Sequence, residues 1–469
     1  MTAPSSTSDL ADALSQLSRT NSHMANLDRS LLDLQRIAEQ LSLANEDQQH
    51  SPPIQNLPPE LLCEIFAFTL PQMHERSPSA PQMHESPWVL GHVCRHWRTL
   101  ALVCPPLWSC FVIASDMPAR ALPVLLQQLE RAGGAPLDVL FRWNQGDLWK
   151  AHTDEARSAF IAHCARWRRL HLQIAIVDLM PQLQLAAARG NVPLLRELVC
   201  TGEALRYLKD GLLADAPNLR KVVLDDSGNR VSDVPLPWSQ ITSYTASFSG
   251  LQHFNALRMA PNVVECYITF SMSYSNLFPD PGASLTLRHL RRLTVTNDKF
   301  LDCLVAPALE DLRIEGAIDR VLPFVQRSAC ALTHLALQTC RTSALVLDLL
   351  QSLPSLASLW FGSPGPADTN TIILALTLRG AGPCLCPNLT SLSWCDTKDY
   401  LDRAAFVDMV ESRWRVPDGH CRPLRQVAVY TGRVRMKSHG RRLQALDGLV
   451  FTILNGRMAR PAMQKWKEW

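Results

Sequence analysis

The sequence predicts an α/β protein in which a short helix and a small all-α domain precede a long array of strand-containing repeats. Three observations lead to this prediction. Apolar residues recur at helical spacing within residues 57–111. From about residue 160 the pattern L-x-x-L-x-Φ, where Φ is apolar, returns mostly every 19 to 28 residues, widening to 33 and 35 near the end. Leucines seven residues apart mark residues 24–48.

The N-terminal region is predicted to have two parts. Residues 1–22 are rich in Ser, Thr and Ala, so we expect them to be disordered. Residues 23–50 are predicted to form an amphipathic helix or a short coiled coil, because Leu27, Leu34 and Leu41 fall seven residues apart. A coiled coil would give a homodimer through residues 24–48. A single helix fits the same pattern, and about three heptads do not decide between the two.

Residues 57–111 are predicted to form two short helices and an apolar plug. The segment LPPELLCEIFAFTL begins with prolines that suit a first helical turn, and its apolar residues follow at steps of three and four. The segment VLGHVCRHWRTLALV gives a second apolar helical face, which Pro105 and Pro106 end. Such a small unit exposes more apolar surface than it can bury, so it should pack on the rest of the chain or bind a partner.

The segments LPPELLCEIF, VCRHWR and PPLW resemble the F-box, which binds the Skp-type adaptor of a cullin–RING ubiquitin ligase. We place this F-box-like domain at residues 53–115. The alternative is a helical hairpin that belongs to the core of the next domain. The resemblance implies internal positions for Leu62, Phe66 and Trp108. It implies adaptor-binding positions for Leu57, Pro58, Leu61, Ile65, Val93, Trp97 and Leu107.

An insert separates the two helices of this segment. Residues 71–87 read PQMHERSPSAPQMHESP, so PQMHE occurs twice, and the prolines and serines predict a loop. We interpret the copies as a tandem duplication in a surface loop, since lengthening a loop costs little free energy. A motif bearing His74 and His84 is the alternative. A compact F-box needs no such linker, so the insert leaves adaptor binding open.

Residues 116–456 are predicted to form the repeat array, and residues 457–469 a tail. The repeats resemble irregular leucine-rich repeats, which implies a solenoid with a parallel sheet. The alternative is a doubly wound α/β domain, whose buried strands are also apolar runs. The units are Trp167-Leu170-Leu172, Leu195-Leu198-Cys200, Leu219-Val222-Leu224, Val263-Cys266-Ile268, Leu290-Leu293-Val295, Leu309-Leu312-Ile314, Leu332-Leu335-Leu337, Leu356-Leu359-Phe361, Leu389-Leu392-Trp394 and Leu424-Val427-Val429, with a weak copy at Trp238-Ile241-Ser243.

Polar residues between the inward positions are predicted to lie on the exposed side of the strands. We expect irregular return segments, with helices at 346–353 and 404–413 and a cap at 440–456 that combines a helix with an apolar run. The candidate substrate-binding residues are Arg196, Arg220, Arg291, Arg313, His334 and Arg425.

The sequence carries no signature of an enzyme, so we predict no catalytic residues, no cofactor and no metal. The motifs G-x-S-x-G, G-x-x-x-x-G-K-[ST] and H-E-x-x-H are absent. Cys384, Cys386, Cys395 and His420-Cys421 match no common zinc spacing. The net charge is only +3, and we interpret the basic run at 433–442 as a solvated face, so nucleic acid is not an expected partner.

The sequence also predicts a compartment. The first thirty residues contain no apolar segment of the signal-peptide type, and the apolar runs are too short to span a bilayer. Most of the fourteen cysteines lie in apolar runs. We therefore expect an intracellular protein, cytoplasmic and/or nuclear, with reduced thiols and no membrane partner.

These observations predict the substrate-recognition subunit of a Skp–cullin–F-box ubiquitin ligase. The F-box would bind the adaptor and through it a cullin, and the repeats would bind a protein substrate whose identity the sequence does not give. The alternative is a leucine-rich-repeat interaction scaffold whose F-box-like segment is structural only. A nucleic-acid binder with a basic C-terminal region is a third hypothesis.

Overall fold

The computed structural model describes residues 54, 57–70, 87–143, 151–175, 185–225, 231–270, 277–280, 282–339, 342–362, 365–379, 384–396, 400–416, 421–431 and 437–455. Four predicted features lie outside these residues: the disordered segment 1–22, the helix or coiled coil at 23–50, most of the 71–87 insert and the tail. The chain divides into two compact units, Met1–Thr69 with Leu90–Leu102 and Leu70–Val89 with Val103–Trp469.

The first unit contains three helices among its described residues: α1 (Pro59–Phe68), α2 (Leu90–Val93) and α3 (Arg95–Leu102). The proline in the first turn of α1 loses no helical hydrogen bond there. The second predicted helix is interrupted at Cys94, whose Sγ accepts a hydrogen bond from the Trp97 N–H at 3.4 Å. This bond satisfies one of the N–H groups that a helix leaves free in its first turn. The Phe66 and Trp97 rings pack with centroids 4.7 Å apart.

The second unit is mixed α/β, and its described residues form a fourteen-stranded parallel sheet. Each strand of this sheet lies beside the sheet strand that precedes it in the chain, with no reversal of order. The sheet strands are β1 (Cys110–Ala114), β2 (Leu137–Trp143), β3 (Trp167–Ile174), β4 (Glu197–Gly202), β5 (Lys221–Asp225), β6 (Ser243–Phe248), β7 (Glu265–Phe270), β9 (Arg292–Val295), β11 (Asp311–Ile314), β12 (His334–Leu337), β13 (Ser358–Phe361), β14 (Ser391–Asp396), β15 (Gln426–Thr431) and β16 (Val450–Asn455). The strands β8 (Leu285–Thr286) and β10 (Leu304–Val305) pair separately.

The apolar repeat determines which side chains of each strand point into the core. In the unit Leu195-Leu198-Cys200, the first leucine lies in the turn before β4 and the other two side chains point into the core, and all three are fully buried. Leu198 aligns with Leu170 of β3 and Val222 of β5. The alternate residues of β4 are only half buried. One face of the sheet is thus largely the core face, and the other, which we name the open face, carries polar residues.

Helices and short 3-10 segments connect the strands. The predicted helices at 346–353 and 404–413 correspond to α8 and α10 below, and the predicted apolar run near the end forms β16 with its strand partners in β15. The helices of this unit are α4 (Ala121–Arg131), α5 (Ala151–Ala162), α6 (Gly250–Met259), α7 (Val321–Ser328), α8 (Ser343–Gln351), α9 (Pro366–Leu376), α10 (Arg403–Trp414) and α11 (Lys437–Gln444). None of the described helices is long and apolar enough to cross a membrane.

Side chains in the turns link one repeat to the next. The Asn218 Nδ2 donates to the Pro193 carbonyl at 2.7 Å, and the Asn262 Nδ2 donates to the Ser239 carbonyl at 2.7 Å. Asn388 makes the same kind of bond to Pro354 at 3.0 Å. These asparagines come just before the first apolar position of a repeat, where each supplies a donor to a turn carbonyl of the preceding repeat. The bonds help to hold adjacent turns in register.

Two sequence interpretations need correction. The weak copy Trp238-Ile241-Ser243 has the wrong frame, because Ile241 occupies the turn position and Tyr244 and Ala246 point into the core. The 3-10 segment Pro105–Trp108 and β1 belong to the second unit, although we predicted them within the small domain at 53–115. Trp108 is buried there, and its carbonyl accepts a hydrogen bond from Gln128 at 3.2 Å.

A buried histidine makes the stability of the sheet pH-dependent. The Tyr244 hydroxyl lies 3.0 Å from His253 Nδ1, and His253 Nε2 lies 2.9 Å from the Thr269 carbonyl oxygen. Burial lowers the pKa of His253 from 6.5 to about 4. Because the unfolded chain binds a proton at this site more tightly, stability is complete above pH 6.5 and falls as the pH drops toward 4.

We predict that acidification from pH 7.5 to 4.5 costs the wild type roughly 3 kcal/mol more stability than a His253→Phe variant, which has no proton to bind there. Scanning calorimetry across this pH range measures the melting temperature of both proteins. The comparison uses the slope against pH, so a constant loss of stability from the substitution does not matter. Parallel slopes would contradict the assignment.

Candidate functional site

The helices of the first unit carry an exposed apolar surface. Leu62 and Phe66 face inward, whereas Leu61 is 47% and Phe68 is 89% exposed. Neighbouring turns of a helix align residues three and four positions apart, so Leu61, Ile65 and Phe68 share one side of α1. We name the helical apolar surface by its exposed members: Leu61, Ile65, Phe68, Val93 and Leu102.

The predicted adaptor-binding residues are not all on this surface. Leu61, Ile65 and Val93 belong to it, Pro58 is exposed, and Leu57 and Trp97 are half buried. The predicted binding role of Leu107 needs correction. This residue belongs to the second unit and is fully buried, so it offers no binding surface. Phe68 and Leu102 were missed. Their spacing follows the helical repeat, but the matched segments stop before them.

The rim of the helical apolar surface is polar and partly basic. His92, Arg95, His96 and Arg98 are exposed on α2 and α3. The Arg98 Nε donates to the Gly91 carbonyl at 2.7 Å, which ties α3 to α2. An apolar centre within a charged rim is the usual composition of a protein–protein interface.

We predict that Leu62→Ala and Leu61→Ala have unequal effects on this unit. The first removes a fully buried side chain and should destabilise α1 by about 2–5 kcal/mol. The second shortens a half-exposed side chain and should cost under about 1 kcal/mol. Native-state hydrogen exchange of the α1 amides measures both costs. Equal costs would mean that Leu61 is part of the core.

The open face of the sheet carries a row of side chains from the first residue of successive strands. The parallel register aligns Glu197 of β4, Lys221 of β5, Ser243 of β6 and Glu265 of β7. It continues the alignment through Asp138 and Arg169 on one side and into β9–β15 on the other. We name this line of residues the edge row, because it runs along the edge where the strands begin.

In the first half of the edge row, the charged side chains form ion pairs within the protein. Glu197 accepts from Arg169 Nε at 3.3 Å and from Lys221 Nζ at 3.0 Å. Asp138 is bound by two hydrogen bonds from Arg168, at 2.9 and 2.5 Å, which raise the pKa of the arginine. Glu265 pairs with Arg292 of β9. These charges already have partners, so they offer little to a ligand.

The second half of the edge row differs. From β11 to β15 its members are Asp311, His334, Ser358, Ser391 and Gln426. Among the described residues, the side chains of Ser358, Ser391 and Gln426 form no hydrogen bond or ion pair, and the Asp311 carboxylate is attracted by the charges of Arg313, His334 and Arg292. His334 Nδ1 lies 2.9 Å from its neighbour's hydroxyl at Thr333. This half therefore has hydrogen-bonding groups available.

A groove of about 780 Å³ lies along this half of the row. Burial raises the pKa of Asp311 and lowers the pKa of Arg313, so both charges sit in a partly water-excluded place. Arg291 on the groove wall pairs with Glu310 at 3.0 Å. The lining residues are Val264, Arg291, Arg292, Glu310, Asp311, Arg313, His334, Ala357, Ser358, Thr390, Ser391 and Gln426.

Three predicted substrate-binding residues, Arg291, Arg313 and His334, line the groove. Arg196, Arg220 and Arg425 are exposed just before β4, β5 and β15 and are not among its lining residues. In the repeat L-x-x-L-x-Φ these three arginines occupy the second position, whereas the edge row occupies the third. The missed residues Asp311, Ser358, Ser391 and Gln426 all occupy that third position, so the repeat contained the signal.

An apolar cluster adjoins this groove on the open face. Ala336, Trp360, Cys395 and Tyr430 are nearly buried and pack with Ala428. They come from β12–β15, the same strands that carry the second half of the edge row. The described part of the chain contains no group of three metal-ligating side chains.

Comparison with other proteins adds no family assignment. The chain matches no model of a known protein family, and no curated protein matches it significantly. The helical apolar surface and the groove are therefore the two features from which a function can be argued.

Proposed function

We propose that this protein is the substrate-recognition subunit of a Skp–cullin–F-box ubiquitin ligase. The helical apolar surface binds the Skp-type adaptor, and the groove on the sheet binds the protein substrate. The chain itself carries out no catalysis, because ubiquitin transfer belongs to other subunits. The observation that carries this proposal is the exposure of Leu61, Ile65 and Phe68 on a helix whose sequence resembles the F-box.

Several features support adaptor binding. The two helical segments form a unit distinct from the sheet, as a docking module requires. Isolated exposed leucines are ordinary, but several large exposed apolar side chains on so small a unit, three of them on one side of α1, are typical of a binding surface. Val93, the last residue of α2, is 57% exposed.

We propose further that the second unit is an irregular leucine-rich-repeat solenoid. Its strands follow one another in chain order without reversal, whereas a doubly wound sheet reverses its order at a switch point. Apart from the cluster of Ala336, Trp360, Cys395 and Tyr430, much of the open face is polar and only half buried, whereas helices cover both faces of a doubly wound sheet. The turn asparagines also repeat from unit to unit.

The substrate site in this proposal is the groove along β9–β15. Six neighbouring strands spaced about 4.8 Å apart span roughly 24 Å, which matches about seven residues of extended peptide. Such a peptide would cross the strands and meet the polar side chains of Asp311, Ser358, Ser391 and Gln426. The first half of the edge row, with its charges already paired, would contribute little.

One observation favours the alternative of a scaffold whose F-box-like segment is structural. The PPLW part of the resemblance packs in the sheet unit, where the Arg131 guanidinium stacks 4.5 Å from the Trp108 ring. A segment recruited into a neighbouring fold is less available to a partner. The two proposals differ in one measurable property, which is binding to the adaptor.

We predict that the full chain forms a one-to-one complex with a purified Skp-type adaptor, observed by size-exclusion chromatography. The double variant Leu61→Asp with Ile65→Asp should weaken the complex at least about 100-fold, because it places charges in an apolar interface. Leu57→Ala with Pro58→Ala should also weaken it without lowering the melting temperature by much. The matched control is Leu374→Asp, which changes a leucine of α9 that is 50% exposed. Absence of any complex with folded wild type would favour the scaffold.

We predict that Ser391→Trp blocks the groove and Ser243→Trp does not. Both serines lie in the edge row, but only Ser391 lines the groove. Peptides selected from a random twelve-residue library on the wild type should bind the Ser391→Trp variant at least about tenfold more weakly, since the indole fills the site. Their affinity for the Ser243→Trp variant should be unchanged. Peptides that bind all three proteins equally, or none selected at all, would contradict the placement of the site.

A further inference from the structure

Two cysteines meet where the chain enters β14 and β15. Cys384 precedes β14 and Cys421 precedes β15, and both are half buried. The two side chains are close enough for the Cys384 thiol to influence the pKa of Cys421. Thirty-six residues separate them in the sequence, so the fold brings them together.

The backbone fixes this meeting point. The N–H of Arg422, next to Cys421, donates to the Pro387 carbonyl at 2.7 Å, three residues after Cys384. The N–H of Leu424 donates to the Arg413 carbonyl at 3.1 Å. Both segments are therefore bound to a common framework of backbone hydrogen bonds, which places Cys384 and Cys421 on neighbouring stretches of chain.

A buried arginine completes this framework. Arg413 at the end of α10 is almost fully buried, and its guanidinium donates to the Leu376 carbonyl at 2.6 Å. The same guanidinium bonds to the carbonyls of Leu385 and Cys386, the two residues that follow Cys384. It thus holds a cation beside the cysteine pair.

Solvent exposure distinguishes the pair Cys384 and Cys421 from the neighbouring thiol of Cys386. The Arg413 charge favours the Cys421 thiolate, but burial and the Cys384 thiol raise the pKa of Cys421 to about 11. Cys386 is buried, its Sγ contacts the Leu350 carbonyl at 3.5 Å, and burial raises its pKa to about 12. Cys386 thus faces away from solvent, while Cys384 and Cys421 are both accessible in part.

We propose that Cys384 and Cys421 form a reversible disulfide in response to a disulfide oxidant such as glutathione disulfide. The Cys384 thiolate attacks one sulfur of the oxidant, forming a mixed disulfide and releasing one glutathione thiolate. The Cys421 thiolate then attacks the Cys384 sulfur, which forms the Cys384–Cys421 bond and releases the second glutathione thiolate. Two electrons pass to the oxidant, and the two thiol protons pass to solvent.

The disulfide would join the segment before β14 to the segment before β15. Ser391 and Gln426, the first residues of those strands, line the groove. The bond closes a loop that contains α10. It therefore restricts the unfolded chain and stabilises this end of the sheet. The inference does not depend on the proposed ligase function, because it concerns only this thiol pair.

The test incubates the full chain to equilibrium at pH 8 in buffers of reduced and oxidised glutathione, followed by acid quenching, alkylation and peptide mass spectrometry. The expected result is one internal disulfide, Cys384–Cys421, with a melting temperature raised by roughly 3–8 °C and restored by dithiothreitol. Cys421→Ser should stop the reaction at a glutathione adduct on Cys384. Cys384→Ser should abolish the disulfide.

The matched control is Cys94→Ser, which removes an exposed thiol outside the pair and should leave the disulfide and the temperature shift unchanged. Two results would overturn the proposal: recovery of Cys384 and Cys421 as free or separately glutathionylated thiols in the most oxidising buffer, or a disulfide that pairs either residue with another cysteine.

Discussion

The parallel register of the sheet is the constraint on which the rest of the second unit depends. Each strand is short and has one apolar face, so a single strand with its connection cannot bury that face alone. Alignment of Leu198 with Leu170 and Val222 turns separate apolar pairs into continuous rows. A shift of one residue would turn those side chains to the open face and bring charged ones into the core. The asparagines and prolines that influence this register lie in the turns, just before each strand begins.

The same register determines the chemistry of the open face. Because residues in register lie side by side, opposite charges on neighbouring strands meet directly, as Arg169, Glu197 and Lys221 do. Ser358, Ser391 and Gln426 occupy the same position in β13, β14 and β15 but carry no charge, so they cannot form ion pairs with one another. They line a groove that contains hydrogen-bonding groups. The contrast between the halves of the edge row is thus a direct consequence of residue type at one repeat position.

Glycines show how closely neighbouring strands approach. At Gly202 a Cβ atom would overlap the Ile174 carbonyl of the preceding strand, and at Gly362 it would overlap the Gln338 carbonyl. Gly202 also has a φ of +74°, which other residues rarely adopt. These positions follow the buried part of a strand, where the chain must leave the sheet without pushing its neighbour away.

Much of this architecture could be predicted from the repeat, and the exceptions have physical causes. The spacing of Leu332, Leu335 and Leu337 is enough to place β12, because strand burial depends on alternation alone. The frame error at Trp238 arose because this buried tryptophan of a 3-10 turn stands three residues before Ile241, which is the spacing of the first two apolar positions of a repeat. The burial of Leu107 could not be predicted, since packing against α4 is a tertiary contact. Pairing along the edge row likewise depends on which strands become neighbours.

The central claim is a division of labour, with adaptor binding on the helices and substrate binding on the sheet. Hydrogen exchange of the full chain, with and without a purified Skp-type adaptor, tests it most directly, because it reports where the partner binds. The account predicts new protection at residues 57–69 and 90–102 and none along β9–β15. Protection centred on the sheet, or no change in exchange anywhere at saturating adaptor, would contradict it.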